Sequence, residues 1–107
     1  MSALIAFCTC PDDAVAERIA TAVVEERLAA CVNRVPGVIS TYRWQGEIHR
    51  DSEQLLIIKT TLERFEALRD RIVSLHPADV PEVIAAEVVA GLDRYLAWID
   101  SETSRIG

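Results

Sequence analysis

The chain has 107 residues, of which 50% are apolar and 26% are charged, and its formal net charge is −6. This length and composition are typical of one globular domain, so we expect a single domain over residues 1–107. The negative charge argues against a nucleic-acid-binding protein, because such a protein needs a basic face.

The first predicted element is a short strand over residues 3–9. This apolar stretch is too short to form a signal peptide or a membrane span, and no basic residues precede it as they would in a signal peptide. The three cysteines are an odd number, which favours reduced thiols and a cytoplasmic location. A helix follows, because Pro11, Asp12 and Asp13 suit a first helical turn and apolar residues then recur at helical spacing. We expect this helix to end near Ala29-Ala30.

A long β-hairpin over residues 29–61 is the central predicted element. Gly46 permits the positive φ of a tight turn, so we expect the chain to fold back at Gln45-Gly46. Pro36-Gly37 predicts a bulge in the incoming arm, because proline cannot donate a hydrogen bond to the ladder. In the outgoing arm, the apolar run over residues 55–58 is typical of a strand covered on both faces.

The length of this hairpin predicts association between copies of the chain. Ten residues in each arm would span roughly 33 Å. A domain of this size has a diameter of only about 35 Å. The hairpin tip, which carries Tyr42 and Trp44, therefore has little of its own chain to cover it. We expect a second copy of the same chain to cover the tip.

The second half of the chain repeats the order strand, helix, strand. Thr60 and Glu63 match a capping box at the start of a helix, and this helix is expected to end before Pro77. A strand over residues 80–90 and a closing helix with an apolar stripe from Leu92 follow. Two such units predict an α+β, ferredoxin-like fold (βαββαβ plus a C-terminal helix) with a four-stranded antiparallel sheet. The sheet face away from the first two helices stays bare unless the last helix or a partner covers it.

Two groups of residues could hold a metal ion. Cys8 and Cys10 lie on one face of the predicted strand. They could form a pair of soft ligands for Cu(I) or Zn²⁺. Alternatively, Cys8 is a small buried apolar residue and Cys10 is a residue at the start of the helix. His76 lies in a proline-bounded loop with Asp79 and Glu82. Together these three residues could bind a metal ion or act as an acid–base group. Alternatively, the helix dipole stabilises His76 at the helix end, and the two carboxylates are simply solvated.

Lys59, Tyr42 and Trp44 are further candidates for ligand binding. Lys59 is the only lysine, at a strand end before a helix, which suits either a bound anion or an ion pair with Glu82 or Glu47. Tyr42 and Trp44 share a strand face and suit either stacking on a ligand or anchoring an interface. The sequence has no nucleophile–base set and no phosphate-binding loop, so we predict that the protein is not an enzyme.

Seven segments stand out together in chain order: Cys8-Thr9-x-Pro11, Leu28-Ala29-Ala30-Cys31-Val32-Asn33, Pro36-Gly37, Tyr42-x-Trp44-x-Gly46, Lys59-Thr60-Thr61, His76-Pro77-x-x-x-Pro81-Glu82 and Tyr95-Leu96-x-Trp98. In order and spacing, these segments resemble the CutA divalent-cation tolerance family over nearly the whole chain. The resemblance implies a ferredoxin-like subunit and a PII-like homotrimer whose long hairpins pair across subunits. It also implies a cytoplasmic protein linked to tolerance of copper and other divalent cations.

The resemblance also implies metal ligands at Cys8 and His76. Some family members have two adjacent histidines, whereas here Leu75 precedes His76. One cysteine and one histidine cannot close a tetrahedral site. Cys10, a carboxylate or a neighbouring subunit would have to complete the site.

Three functions follow as hypotheses. The first is a non-enzymatic, trimeric metal-binding and metal-response protein for copper or another divalent cation. The second is a PII-like signalling module that binds a small anionic effector at subunit interfaces, and the third is a structural role for the trimer alone. The expected ligand-binding residues are Lys59, Asp79, Glu82, Tyr42 and Trp44.

Overall fold

The computed structural model describes residues 2–105, which form a four-stranded sheet and three helices. In chain order the elements are β1 (Ala3–Cys10), α1 (Asp13–Glu25), β2 (Cys31–Trp44), β3 (Glu47–Thr61), α2 (Leu62–Leu75), β4 (Ile84–Glu87) and α3 (Asp93–Glu102). The sheet is antiparallel, in the order β2-β3-β1-β4. This order confirms the predicted ferredoxin-like fold with an added C-terminal helix. Within residues 2–105, no helix has the length and apolar character needed to cross a membrane.

The hydrophobic core lies between one face of the sheet and the helices α1 and α2. Side chains alternate along β3, so Leu56 and Ile58 point into this core and are fully buried. Leu55 and Ile57 point to the opposite face and are only half-buried. A single chain therefore covers one face of the apolar run, whereas the sequence predicted cover on both.

Helix α3 lies on the opposite face of the sheet. It packs against β1 and β3, and its buried residue Ile99 is not part of the core beneath α1 and α2. Leu92, predicted to begin its apolar stripe, is instead the exposed residue before the helix. Ile84 of β4 also remains mostly exposed. The last helix therefore covers only part of this face.

The β2–β3 hairpin extends well beyond the rest of the sheet. The pairing of β3 with β1 ends at Gln54, so residues 38–53, here called the ribbon, have no third strand beside them. The described chain is accordingly elongated and measures 44 × 26 × 22 Å along its principal axes. The predicted bulge is confirmed between Val35 and Val38, where Gly37 adopts a φ of 76°.

The turn of the hairpin needs two residues with positive φ. Gln45 has a φ of 50° and Gly46 a φ of 82°, which confirms the predicted position and matches a type I′ turn. A Cβ at Gly46 would meet no atom within 4 Å. Gly46→Ala should therefore act through the backbone alone and lower the free energy of unfolding by about 1 kcal/mol.

The neighbouring position offers a control of opposite sign. Asparagine adopts positive φ more readily than glutamine, so Gln45→Asn should raise the free energy of unfolding by about 0.5 kcal/mol. Urea unfolding measures both changes. A Gly46→Ala variant as stable as the wild type would contradict the assigned turn.

Helix α1 ends at Glu25, earlier than predicted. The chain leaves the helix through Arg27, which has a φ of 59°. The amides of Arg27 and Leu28 donate to the carbonyls of Val24 and Val23 respectively. This is the Schellman arrangement, in which glycine usually occupies the position with positive φ. Because arginine occupies it here, the sequence carries no visible stop signal.

Two predictions for the second half of the chain are wrong. The capping box does not form, because Thr60 is a fully buried residue of β3 whose hydroxyl donates to the Leu28 carbonyl at 2.7 Å. Thr61 caps α2 without a side-chain hydrogen bond. Strand β4 occupies only Ile84–Glu87 of the predicted residues 80–90. It is an edge strand, and β1 pairs with it over only four residues.

Candidate metal centre and adjoining cavity

The ends of β1 and α2 bring three metal-ligand side chains together. Cys8 and Cys10 both point to the core face of β1 and are fully buried, because alternate residues of a strand share a face. His76 directly follows α2, which ends before Pro77 as predicted. One ligand atom from each of Cys8, Cys10 and His76 lies within 4.8 Å of the others. The structure thus adds Cys10 to the pair that the family resemblance implied.

The two thiols of this cluster differ in acidity. A hydrogen bond with Cys10, together with burial, raises the pKa of the Cys8 thiol well above its ordinary value. The same hydrogen bond lowers the pKa of Cys10, against the opposing effect of burial. The two thiols are therefore tightly coupled. Because the thiolate is the form that binds metal, both must lose their protons before both sulfurs can act as ligands.

Both ring nitrogens of His76 form hydrogen bonds with the backbone. The N–H of Ala78 donates to Nδ1 at 3.0 Å, so Nδ1 carries no proton. The ring proton is therefore on Nε2, which donates to the Thr9 carbonyl at 2.7 Å. These two contacts fix the ring beside the cysteines, as outer-shell partners orient histidines in metal sites.

The donor set of this cluster fits a soft or borderline cation. Two sulfurs and one imidazole nitrogen suit Cu(I) or Zn²⁺, whereas Mg²⁺ and Ca²⁺ prefer oxygen ligands. The cluster contains no carboxylate, so the structure does not bring Asp79 or Glu82 to it as ligands. A tetrahedral Zn²⁺ site would take its fourth ligand from another donor.

A cavity of about 590 Å³ adjoins the cluster, between the ribbon and the segment that follows α2. Thr9 and His76 belong to both places, since they line the cavity and also form the hydrogen bond beside the cysteines. The cavity is lined by Thr9, Ser40, Thr41, Tyr42, Trp44, Glu53, His76, Ala78, Asp79, Val80, Pro81 and Glu82.

The walls of this cavity are acidic and aromatic. Tyr42 and Trp44 line it from the ribbon, while Asp79 and Glu82 line it from the opposite wall and Glu53 adds a third carboxylate. None of the lining residues is a lysine or an arginine. Four of the five predicted ligand-binding residues therefore meet here, in surroundings that favour a cationic or neutral occupant over an anionic one.

Tyr42 is held in place by two contacts across the ribbon. Its hydroxyl donates to Asp51, and its ring stacks on His49 with 5.5 Å between the ring centroids. The register dictates the stack, because Tyr42 and His49 are direct cross-strand neighbours. The hydrogen bond to Asp51 raises the pKa of Tyr42 above its ordinary value.

Lys59, the fifth predicted ligand-binding residue, lies apart from the cavity within one chain. It is the cross-strand neighbour of Cys31, towards the end of β3 that is farther from the ribbon. Its Nζ donates to Oδ1 of Asn33 rather than to the predicted carboxylates of Glu82 or Glu47. Asn33 is one diagonal step away across the two strands, so local pairing explains this contact.

Comparison with protein families and known proteins identifies the relatives of this chain. Residues 4–102 match the family model described as "CutA1 divalent ion tolerance protein". The divalent-cation tolerance protein CutA of Thermus thermophilus is 50% identical over 99 residues, which cover 92% of this chain and 96% of that protein. Human protein CutA is 50% identical over 101 residues, which cover 94% of this chain but only 56% of the human protein. The chain thus spans just over half the length of the human relative.

The fold also matches a solved structure from this family. The crystal structure of CutA from Xylella fastidiosa superposes with a TM-score of 0.94 at 46% sequence identity. The match covers 97% of this chain and 100% of that one. The similarity between the two structures therefore extends over nearly the whole described fold, including the ends of β1 and α2 that form the cluster.

Proposed function

This chain belongs to the CutA1 divalent ion tolerance family, and on that premise we propose that it is a non-enzymatic metal-binding protein. In this proposal Cys8, Cys10 and His76 hold copper or another soft or borderline cation. The observation that carries the proposal is the approach of their three ligand atoms to within 4.8 Å. Cys8 and Cys10 would supply two thiolate sulfurs, with their protons released to water, and His76 would supply the nitrogen.

The burial of the cluster supports a binding role rather than catalysis. A catalytic cysteine must be reached by its substrate, but Cys8 and Cys10 are both fully buried. Metal binding needs only the ion to reach the sulfurs, and His76 beside them is half-buried rather than fully buried. The proposed location is the cytoplasm, where thiols stay reduced and able to bind metal.

We also propose that the protein assembles as a homotrimer through its ribbons. An isolated two-stranded ribbon is only marginally stable in water. This ribbon exposes apolar side chains on both faces, with Tyr42 and Trp44 on one and Ile39 and Ile48 on the other. Packing against other copies of the chain would bury these side chains and stabilise the ribbon. The trimeric number rests on the family resemblance.

The alternative, a signalling module for a small anionic effector, gains no support from the cavity of a single chain. Three carboxylates line that cavity, and Lys59 lies outside it. An anion would lose its hydration there without gaining a cationic partner. Metal binding at the cluster therefore remains the better-supported function.

Metal titration of the reduced protein tests the proposed ligands. Anaerobic titration with Cu(I) against a competing chromophoric chelator should give one ion per chain. Cys8→Ser, Cys10→Ser and His76→Gln should each weaken binding by at least about 100-fold, because each removes a ligand rather than an outer-shell partner.

The third cysteine provides a matched control. Cys31 is also a free thiol, but it lies beside Tyr95 and Lys59 and is not part of the cluster. Cys31→Ser should therefore leave the Cu(I) affinity unchanged. Wild-type affinity in both Cys8→Ser and Cys10→Ser would refute the proposed ligands.

A further inference from the structure

We infer that metal binding by His76 changes the wall of the adjoining cavity, because it takes away the hydrogen bond that ties Ala78 to the His76 ring. This inference rests on the proposed function and deepens it from metal binding to metal response. The responding element is residues 77–82, here called the wall segment, of which residues 78–82 line the cavity opposite the ribbon.

The argument begins with the single proton of the neutral imidazole ring. Nδ1 of His76 accepts from the Ala78 N–H and Nε2 donates to the Thr9 carbonyl, so the proton is on Nε2. A ring nitrogen must be free of its proton to bind a metal ion. These two hydrogen bonds of the ring therefore cannot both persist once His76 is a ligand.

If Nε2 binds the metal, the ring proton moves to Nδ1. Nδ1–H and the Ala78 N–H are then two donors facing each other, and the hydrogen bond between them is lost. If Nδ1 binds the metal instead, the ion takes the place of the Ala78 N–H directly. In either case the Ala78 amide loses its acceptor. The thiol protons of Cys8 and Cys10 leave to water as the sulfur–metal bonds form.

The wall segment has little else to hold it in place. Within the described part of the chain, the Ala78 N–H donates the only hydrogen bond that residues 77–82 make. Asp79 and Val80 are exposed, and Pro77 and Pro81 have no N–H to donate. Losing this hydrogen bond therefore leaves residues 77–82 anchored only at their two ends, by His76 after α2 and by Val83, which packs against the core.

The consequence is a cavity whose shape depends on the metal content of the cluster. The wall segment loses its hydrogen bond to the His76 ring, whereas the pairing that positions Tyr42 and Trp44 in the ribbon does not involve the cluster. Such coupling is reciprocal, so anything that preserves the hydrogen bond between Ala78 and the His76 ring weakens metal binding by the same factor.

Nuclear magnetic resonance of the uniformly ¹⁵N-labelled, reduced protein tests this inference. The probe is Zn²⁺ alone, because it is diamagnetic and suits the same donors. Without Zn²⁺, the His76 ring should be the Nε2–H tautomer. With one equivalent, one ring nitrogen should show metal coordination, and the Ala78 amide should shift and exchange roughly tenfold faster.

The backbone amide of His76 is the internal control. It donates to the Ile72 carbonyl at the end of α2 at 2.9 Å, so its exchange should not change. The double variant Cys8→Ser with Cys10→Ser, which removes both sulfur ligands and keeps both hydrogen bonds of the His76 ring, should show no response to Zn²⁺ at Ala78. A response in that variant would overturn the inference, because the signal would then not come from the cluster.

The remaining outcomes separate this inference from the proposed function. If the wild-type cluster binds no Zn²⁺ and no Cu(I), both are overturned. If Zn²⁺ binds through Cys8, Cys10 and His76 while the Ala78 amide stays unshifted and protected, the proposed function stands and the coupling is overturned. A shifted and faster-exchanging Ala78 amide supports both.

Discussion

Leu56→Ala is expected to lower the free energy of unfolding by about 3 kcal/mol. The Leu56 side chain is fully buried in the core beneath α1 and α2, and its cross-strand neighbour on β1 is Cys8. Truncation to alanine loses apolar burial and leaves a cavity that the packed strands cannot close. Urea unfolding monitored by circular dichroism measures the change.

The preceding residue on the same strand makes a matched control. Leu55 has the same chemistry but faces the opposite side of the sheet, where it is half-buried in a single chain. Leu55→Ala should lower the free energy of unfolding by only about 1 kcal/mol in an isolated chain. A larger loss that grows with protein concentration would indicate that another copy covers this face. Equal losses for both variants at every concentration would contradict the one-sided core.

Trp44→Lys is expected to dissociate the proposed trimer. Trp44 is 40% exposed in one chain and lies near the tip of the ribbon. Aromatic anchors at protein interfaces contribute about 2 kcal/mol or more each, and a symmetric assembly would lose the anchor at every interface. Sedimentation at micromolar concentration should give about three times the 11.9 kDa of one chain for the wild type, and a single chain for the variant.

Val24→Lys tests whether any exposed apolar residue would have the same effect. Val24 is 41% exposed on helix α1, away from the ribbon, so its exposure matches that of Trp44. This variant should sediment like the wild type. A well-folded wild-type protein that sediments as a single chain would contradict the proposed assembly.

The sequence predicted those parts of the fold whose signals are local. Gly46 permits a positive φ, Pro36 cannot pair, and Pro77 prevents the preceding residue from staying helical. The turn, the bulge and the end of α2 were accordingly placed correctly.

The end of α1 was missed because Arg27, rather than glycine, takes the left-handed conformation. Thr60 was misplaced because its buried hydrogen bond to Leu28 is a tertiary contact that a capping-box pattern cannot reveal.

The candidate site was only partly predictable for a related reason. Strand alternation put Cys8 and Cys10 on one face, but their approach to His76 depends on how α2 packs across the sheet. The groups that orient the His76 ring are the carbonyl of Thr9 and the amide of Ala78. Both are backbone groups, so residue type gives no signal for them.

Lys59 shows a further limit of local sequence signals. Its position at a strand end before a helix suggested a bound anion or an ion pair with Glu82 or Glu47. The register instead sets it beside Cys31, and its side chain reaches Asn33. Proximity to a helix start in the sequence did not determine which side chains surround it in the fold.

X-ray absorption at the copper edge of the Cu(I)-loaded, reduced protein tests the central claim most directly. With Cys8, Cys10 and His76 as ligands, the spectrum should fit two sulfur atoms and one imidazole nitrogen around each copper ion. Cys10→Ser should remove one of those sulfur atoms, whereas Cys31→Ser should change nothing. A first shell of oxygen and nitrogen without sulfur would contradict the assignment of the metal site to this cluster.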